Sequence, residues 1–418
     1  MPDSFDYLLL GGGTACGYAA AALREVDREG SVGIVGAETE PPYNRPPFSK
    51  KFLTDDTFVP SDAHNQDESF YRDNGVELLL GCRAVGLDRR GRTVELEGGR
   101  KIGYGKLLYA LGSAAKPLEV EGGGEVMLLR SAGDAELIRS AAKGARSALI
   151  VGGGYIGCEV AASLLKVGLD VTLLEIEDRI WPGVPSKAAG EAVRRQLQSM
   201  GAEVVTGEGA GAVGGGTPMS VTGTSGRKYA ADMVVAGVGA VPGVSLAKEA
   251  GLPLGERGVK ADSSLRTEDP HIWVAGDVAE YEDVVLGKPF HAEHHMHAKW
   301  TGGHAGRAMA GEAGPHRNAP YFFSDVGDLS MILRGYLQHA ARSFVIGDPS
   351  EPVFTEVCVT SEGHAIGMLD MRRDFKAQDP INDLFEKLIL SRTDLSAHLD
   401  DFAKPGFDVM SLQALVVD

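Results

Sequence analysis

Two glycine-rich turns have the residue types and the spacing that bind a dinucleotide. The stretch YLLLGGGTACGYAA begins at Tyr7, and ALIVGGGYIGCEVA repeats its plan from Ala148. In such a turn the first glycine permits a tight bend, and the second lets the backbone approach a pyrophosphate at the positive end of the following helix. A single match is weak evidence, because glycine-rich turns also occur for purely structural reasons. Two matches in one chain predict two dinucleotides.

The second turn matches the pattern fully. Glu175 lies 23 residues after Gly152, at the end of the next predicted strand. A carboxylate there accepts hydrogen bonds from both ribose hydroxyls and repels a 2′-phosphate, so the sequence favours NADH over NADPH. A βαβ unit that binds nothing is the alternative. We predict an NADH site made of Gly152, Gly154, Tyr155, Ile156, Gly157, Glu159 and Glu175.

The first turn is less regular. Gly11 and Gly13 are in place, but Cys16 stands where a third glycine or an alanine is usual. Cysteine is small enough to keep the helix close to the strand. The acid after the second strand is Glu38, 27 residues beyond Gly11. FAD is the economical companion of NADH in a chain with two such turns, so we predict FAD at the first turn.

Each turn needs a strand before it and a helix after it, and the sequence supplies both. Residues 7–10 are apolar, AAAALREV from Ala19 contains strong helix formers, and SVGIVG from Ser31 predicts the next strand. The second copy predicts a strand over 148–151, a helix over 155–167 and a strand from Asp170. Two helices and four strands therefore form a duplicated βαβ plan.

Two later segments differ in composition from the duplicated βαβ units. The glycine-rich stretch 207–226 could be a flexible linker, but we favour hairpin turns because β-rich segments resume quickly around it. From Pro320 the composition changes to short β-like runs, followed by the amphipathic INDLFEKLIL. This change predicts a separate α+β domain.

Composition and charge exclude several classes of function. A chain of 418 residues is expected to form two or three domains. The formal net charge of −17 argues against nucleic acid or an anionic membrane surface as a partner. The apolar start follows Asp3 and Asp6 and is interrupted by glycines, so we expect a buried strand and not an export signal. No other apolar run is long enough to predict a membrane span.

Cysteines and histidines offer alternatives that the spacing does not favour. The four cysteines form no CxxC pair, which argues against a zinc site and a disulfide framework and makes a reducing, cytoplasmic compartment the default. Cys16 and Cys158 begin predicted helices and could be redox thiols, but packing is the favoured interpretation. A metal could also be shared within a group of histidines, yet no cysteine pair or carboxylate completes a known ligand spacing, so we predict no metal site. These histidines are His291, His294, His295, His297 and His304.

The chain resembles the flavoprotein pyridine-nucleotide reductases with two dinucleotide folds. PPYNRPPFSKKFL from Pro41 resembles the stretch after the second strand in apoptosis-inducing factor and in ferredoxin and rubredoxin reductases. The segment IWVAGDVAEYEDVVLGKPFHAEHHMHA from Ile272 resembles apoptosis-inducing factor more. The resemblance implies an α/β fold with two Rossmann-like nucleotide-binding domains and a C-terminal α+β domain. It implies an FAD domain at 1–120 and 246–319, an NADH domain at 121–245 and the C-terminal domain at 320–418.

The resemblance also implies an FAD site, position by position. Arg45 and Lys50 would lie beside the flavin, Asp277 would accept from a ribityl hydroxyl, and two adjacent histidines would approach the isoalloxazine. Phe323 stands where the family usually has tryptophan, which changes the wall of the flavin pocket. The implied FAD site comprises Gly11, Gly13, Thr14, Ala15, Glu38, Arg45, Lys50, Gly276, Asp277, His294, His295 and Phe323.

Lys50 and Glu159 resemble the lysine and glutamate that pair near flavin N5 in this family. A buried pair at that place would orient the nicotinamide and hold the charge steady at the point of hydride transfer. A surface ion pair of little consequence is the alternative. We predict that Lys50 and Glu159 are the catalytic residues.

Together these features predict an FAD-dependent NADH oxidoreductase. Disulfide reductases of this fold carry a CxxxxC pair beside the flavin, and no such pair is present, so electrons should leave for an external acceptor: ferredoxin, rubredoxin, a quinone or oxygen. The charge of −17 counts modestly against an acidic carrier. The alternative is a NADH-sensing scaffold like apoptosis-inducing factor, with slow turnover and ligand-linked dimerisation. Either function would allow a homodimer.

Overall fold

The protein forms two compact units, each assembled from separate stretches of the chain. The computed structural model describes residues 3–312, 314–348, 350–404 and 406–416. Unit 1 comprises Met1–Pro46, Phe58–Ala114 and Ala240–Asn318, and unit 2 comprises Pro47–Thr57, Ala115–Gly239 and Ala319–Asp418. The predicted three-domain division, with limits at 120, 245 and 319, stays a prediction.

The bounds of the secondary-structure elements follow the alternation of strands and helices expected from the sequence. The strands are, in chain order, β1 (Ser4–Leu10), β2 (Val32–Val35), β3 (Val76–Leu79), β4 (Ala84–Asp88), β5 (Thr93–Leu96), β6 (Lys101–Tyr109), β7 (Ser113–Ala115), β8 (Met127–Leu128), β9 (Ser147–Val151), β10 (Asp170–Glu175), β11 (Glu203–Thr206), β12 (Ala210–Gly214), β13 (Met219–Gly223), β14 (Lys228–Ala231), β15 (Met233–Ala236), β16 (Ala240–Pro242), β17 (Val259–Ala261), β18 (Ile272–Val274), β19 (Ala279–Asp283), β20 (Lys288–His291), β21 (Tyr321–Val326), β22 (Leu329–Gly335), β23 (Arg342–Ile346), β24 (Phe354–Val359) and β25 (Ala365–Arg372). The α-helices are α1 (Thr14–Val26), α2 (Lys51–Thr54), α3 (Glu68–Asp73), α4 (Ala132–Gly144), α5 (Tyr155–Lys166), α6 (Lys187–Ser199), α7 (Ser245–Glu249), α8 (His295–Ala310) and α9 (Asp379–Leu390).

Unit 1 is built on a largely parallel sheet with the strand order β3-β2-β1-β6-β5-β4, and β18 pairs with β6. Strand β1 pairs in parallel with β2 and with β6, so its end carries the first glycine turn into α1. The last four residues of β1 are buried, as expected for a central parallel strand with both faces covered. The predicted first βαβ unit is confirmed.

Unit 2 contains a second parallel sheet with the order β11-β10-β9-β15-β8. The second glycine turn leads from β9 into α5, and β10 follows in parallel with β9. The stretch 207–226 forms the antiparallel strands β12 and β13 and the turn between them, which confirms hairpin turns over a linker. The segment from Pro320 forms an antiparallel sheet, β21-β22-β25-β24-β23, and the amphipathic segment forms α9.

Within the part of the chain that the structure describes, no helix combines the length and the apolar character needed to cross a membrane.

Candidate active site

The first glycine turn leaves the N-terminus of α1 open. Gly11 has a φ of +129°, and a Cβ there would lie 2.2 Å from the carbonyl oxygen of Ala110, so only glycine fits. Gly13 is the N-cap of α1, and no side chain caps the helix. Among the residues that the structure describes, none except the two chain neighbours would have an atom within 4 Å of a Cβ at Gly13. Free helix N-terminal amides facing open space make a fitting cradle for a pyrophosphate.

The second turn has the same construction. Gly152 has a φ of +108°, and a Cβ there would lie 2.4 Å from the carbonyl oxygen of Gly237. Gly154 caps α5 without a side-chain hydrogen bond, and the nearest atom to a Cβ there would be 3.9 Å away. Gly157 permits close packing of α5 on β9, because its Cβ would meet the carbonyl oxygen of Gly152 at 2.0 Å. The structure therefore offers two equivalent cradles, one in each unit.

Each cradle has an acid nearby, and the two acids have different partners. Glu175 is buried, and its carboxylate accepts hydrogen bonds from the amides of Gly153 (2.5 Å) and Glu177 (2.9 Å). These bonds fix the carboxylate at the glycine turn. Glu38 accepts hydrogen bonds from Tyr43 Oη at 2.5 Å and from Arg45 Nη2 at 2.8 Å. Glu38 and Arg45, which were predicted to contact different parts of FAD, therefore form an ion pair with each other.

The segment after β18 brings further predicted residues to the first cradle. Gly276 has a φ of +70°, and a Cβ there would contact the Cβ of Ala15 at 3.5 Å. Asp277 is buried in the following 3-10 turn and interacts electrostatically with Arg45 and His294. His294 is the N-cap of α8, and His295 is the first residue of that helix. Unit 1 thus brings most of the predicted FAD site together.

The remaining histidines pack among aromatic rings. His297 stacks on Tyr281 with the ring centroids 5.9 Å apart, and His316 lies edge-on to Tyr281 at 5.5 Å and to His304 at 5.2 Å. Burial lowers the pKa of His294 to about 4 and that of His316 to about 3, and it lowers the pKa of His297 well below its ordinary value. These rings are therefore neutral at neutral pH. Among the described residues, no group of three or more His, Cys, Asp or Glu side chains could hold a metal ion.

Burial of these histidines predicts a loss of stability in mild acid. A histidine whose pKa is lowered by folding takes up its proton only on unfolding, so stability falls as the pH drops from the unfolded pKa toward the folded one. With a folded pKa of about 3, His316 should cost about 2 kcal/mol of unfolding free energy between about pH 6.5 and pH 5. Urea unfolding at both pH values measures the loss of unfolding free energy, which should be smaller by this amount in His316→Asn than in the wild-type protein. Equal losses in the two proteins would show that His316 does not cause the loss.

A buried carboxylate on α5 is held by three donors. Glu159 is 4% exposed. Its Oε2 accepts from Ser49 Oγ at 2.5 Å, and its Oε1 accepts from Ser324 Oγ at 2.7 Å and from Lys50 Nζ at 3.0 Å. Ser163 Oγ, one turn further along α5, donates to the carbonyl oxygen of Ser49 at 2.7 Å. All five residues belong to unit 2. The pair Lys50–Glu159 is therefore formed, and it is not a surface ion pair; its catalytic role stays a prediction.

Strand β21 adds two contacts to Lys50. Lys50 Nζ lies 3.7 Å from Asp325 Oδ2 and 5.4 Å from the centroid of the Phe323 ring. Ser49, Ser324 and Asp325 were missed by the sequence analysis. Ser49 stands beside Lys50 and Ser324 stands beside Phe323, which was the available signal, while Asp325 is two residues from Phe323. Serine and aspartate are common in loops and strand ends, so the signal alone could not identify them.

The aromatic residue of the second turn packs inside unit 2. The Tyr155 ring lies 5.2 Å from Trp181 and 4.3 Å from Phe322, measured between centroids. Ile156, the next residue of α5, is 43% exposed. Tyr155 is thus part of the wall near the second cradle, while Ile156 is free to meet a ligand.

The cysteines have a packing role. Cys16 and Cys158 are fully buried, and burial raises the pKa of both thiols. All four cysteines are free. A buried thiol with a raised pKa is a poor nucleophile, so neither helix start carries a redox thiol.

Comparison with known proteins gives consistent relatives. The sequence profile of the pyridine nucleotide-disulphide oxidoreductase family matches residues 5–302. A ferredoxin–NAD(P)+ reductase of Sphingomonas sp. is 30% identical over 364 residues, which cover 85% of this chain and 87% of the relative. A rubredoxin–NAD+ reductase of Pseudomonas putida is 31% identical over 354 residues, which cover 84% of this chain and 91% of the relative.

A solved structure agrees with the sequence relatives. The ferredoxin reductase for the CYP199A2 system of Rhodopseudomonas palustris has a TM-score of 0.83 and 29% identity, and the match covers 88% of this chain and 91% of that one. These matches confirm the predicted resemblance, the α/β fold class, the oxidoreductase activity, and FAD and a nicotinamide nucleotide as cofactors. The chain belongs to the pyridine nucleotide-disulphide oxidoreductase family.

Proposed function

We propose that this protein is an FAD-dependent NADH oxidoreductase that passes electrons to a ferredoxin- or rubredoxin-type carrier. The observation that carries the proposal is the presence of two helix N-termini, at Gly13 and Gly154, that lack capping side chains and face open space. The relatives that reduce ferredoxin and rubredoxin support the choice of acceptor. FAD at this site would supply the chemistry that turns the hydride of NADH into two single electrons, each passed to one carrier molecule, and one proton released to water.

Unit 1 would hold FAD. The amides of Thr14 and Ala15 at the start of α1 would donate to the pyrophosphate, and Glu38 would accept from the adenosine ribose. Asp277 would accept from the ribityl chain. His294 is neutral and adds no charge beside the isoalloxazine. The local charge is therefore set by Arg45 and the carboxylates of Glu38 and Asp277.

Unit 2 would hold NADH and the group that governs hydride transfer. The amides at Tyr155, Ile156 and Gly157 would donate to the nicotinamide pyrophosphate. Hydride transfer moves negative charge onto the flavin and leaves positive charge on the nicotinamide. Lys50 would stabilise the negative charge on the flavin, and Glu159 would stabilise the positive charge on the nicotinamide. Only 4% of Glu159 is exposed to solvent.

Glu175→Gln should weaken the preference for NADH over NADPH. The variant keeps an oxygen acceptor for one of the two backbone amides, that of Gly153 or that of Glu177, and removes the charge that would repel a 2′-phosphate. We expect the ratio of kcat/KM for NADPH to that for NADH to rise by at least about tenfold. Steady-state kinetics with each nucleotide checks this, and Glu177→Gln on the exposed loop is the matched control. An unchanged ratio would remove Glu175 from the specificity site.

The acceptor is tested by stopped-flow reduction and reoxidation. The protein is reduced with NADH without oxygen and then mixed with ferredoxin, rubredoxin, a quinone or oxygen. Reoxidation should be fastest with an iron–sulfur carrier. Slow reduction accompanied by a larger particle in light scattering would instead support the NADH-sensing scaffold with ligand-linked dimerisation. Equal rates with a quinone would contradict the choice of carrier.

Two further predictions concern the cell and the assembly. A cytoplasmic location is supported by the four free cysteines, which suit a reducing compartment. A homodimer stays a prediction, and light scattering of the FAD-loaded protein without NADH measures it directly.

A further inference from the structure

Strand β21 contributes a second carboxylate to the pair on α5. Lys50 Nζ lies 3.0 Å from Glu159 Oε1 and 3.7 Å from Asp325 Oδ2, so one cation is shared by two acids. Ser330 Oγ donates to the other oxygen of Asp325 at 2.7 Å and holds that side chain in place. With all three groups ionised, the trio of Lys50, Glu159 and Asp325 has a net charge of −1.

The neighbouring residue fixes the first carboxylate. Ser324 is fully buried on the same strand, and its hydroxyl donates to Glu159 Oε1, the oxygen that also binds Lys50. Alternate residues of a strand point to opposite faces, yet both Ser324 and Asp325 reach this group, one through the carboxylate and one through the lysine. A hydroxyl and a carboxylate from β21 therefore constrain both members of the pair.

We propose that β21 tunes the nicotinamide site: Ser324 is a positioning residue for Glu159, and Asp325 gives the trio a negative charge that favours the oxidised, positively charged nicotinamide ring over the reduced, neutral one. This inference rests on the proposed function, because it places the trio beside the nicotinamide. A net negative charge attracts a cationic ring and is indifferent to a neutral one, so the effect concerns the difference between the two nucleotide forms.

Binding to the FAD-loaded protein tests the role of Asp325. The probes are NAD+ and 1,4,5,6-tetrahydro-NAD, which has a neutral ring and cannot donate hydride. Asp325→Asn should raise the Kd of NAD+ about fivefold, the size expected for a partly exposed charge, and leave the Kd of the neutral analogue unchanged. Asp400→Asn, an exposed aspartate of the same unit, is the control and should change neither Kd.

The role of Ser324 is tested by separating chemistry from binding. Ser324→Ala removes one of three donors to Glu159, so flavin reduction at saturating NADH should slow about tenfold while the Kd of the neutral analogue stays the same. Ser343→Ala, on the exposed part of β23, is the matched control. The flavin spectrum and the melting temperature of each variant show that it is folded and loaded.

The outcomes distinguish this inference from the function on which it rests. If Asp325→Asn raises the Kd of NAD+ and of the neutral analogue equally, or raises neither, the electrostatic role of β21 is wrong. If Ser324→Ala reduces flavin at the wild-type rate, its positioning role is wrong. A wild-type protein that binds neither probe and is not reduced by NADH overturns the proposed function itself.

Discussion

Lys50→Met is expected to slow the reduction of bound FAD by NADH about 100-fold, a loss of about 2.7 kcal/mol of transition-state stabilisation. The cation that would offset negative charge on the flavin disappears, and Glu159 keeps only the donors Ser49 and Ser324. Because Lys50 is 22% exposed, the stability should fall by only about 1–2 kcal/mol, less than for a fully buried pair. Stopped-flow absorbance measures the rate, and urea unfolding measures the stability.

A double-mutant cycle isolates the pair. Glu159→Gln keeps the volume and an acceptor oxygen for one of the two serines, and its NH2 group can donate to the hydroxyl oxygen of the other, but the charge that Lys50 neutralises is removed. The double variant Lys50→Met with Glu159→Gln should recover most of the stability lost in Lys50→Met, because no unpaired charge remains buried. Its rate should stay as low as that of either single variant. Strictly additive losses of rate would show that the two residues act independently, contrary to the proposal.

Gly13→Ala is expected to abolish FAD binding while leaving the fold intact. Gly13 has a φ of −96°, which alanine adopts freely, and apart from the two adjacent residues no atom of the described residues lies within 4 Å of the added Cβ. The methyl group would stand where the pyrophosphate approaches the start of α1. The affinity for FAD should fall at least about 100-fold, and the protein should purify without colour. Flavin absorbance and circular dichroism of the same sample check both parts.

Gly154→Ala should have the corresponding effect on NADH alone. Its φ is −74°, and the nearest atom to the new Cβ is 3.9 Å away. The variant should stay yellow and lose affinity for NADH at least about 100-fold. Gly144→Ala is the matched control, because that site also has open space around it and lies at the far end of α4. If Gly13→Ala binds FAD normally, the first cradle is not an FAD site.

The glycine turns could be predicted from the sequence because their physics is local. A positive φ at Gly11 and Gly152 and an uncapped helix at Gly13 and Gly154 are determined by residues a few positions apart. The same holds for the hairpin of β12 and β13. Such features need no knowledge of distant parts of the chain.

The environment of Glu159 could be predicted only in part. Lys50 is 109 residues away from it, and the pairing was inferred from a resemblance to a family and not from spacing. Ser324 is 165 residues away, and nothing about one serine in a β-like run indicates that its hydroxyl will be buried against a carboxylate. Long-range hydrogen bonds depend on how elements pack, which a local pattern does not encode.

The contacts of the histidines could not be predicted from their spacing. Spacings of three and four residues left a shared metal site open only as an alternative, and they did not show what each ring contacts. His297 packs against Tyr281, and His304 packs against His316, which lies outside that group of histidines. Helical spacing places side chains on one face of α8 without saying what covers that face.

The short stretch Pro47–Thr57 limits how the nucleotide-binding parts can be exchanged between proteins. It interrupts unit 1 in sequence, yet it supplies Ser49 and Lys50 to a carboxylate on α5. A graft of Ala115–Gly239 alone would carry the buried carboxylate of Glu159 without Lys50, which neutralises it. It would also lack the hydroxyl donors Ser49 and Ser324. Chimaeras of this enzyme should therefore carry Pro47–Thr57 and β21 together with the segment that holds α5.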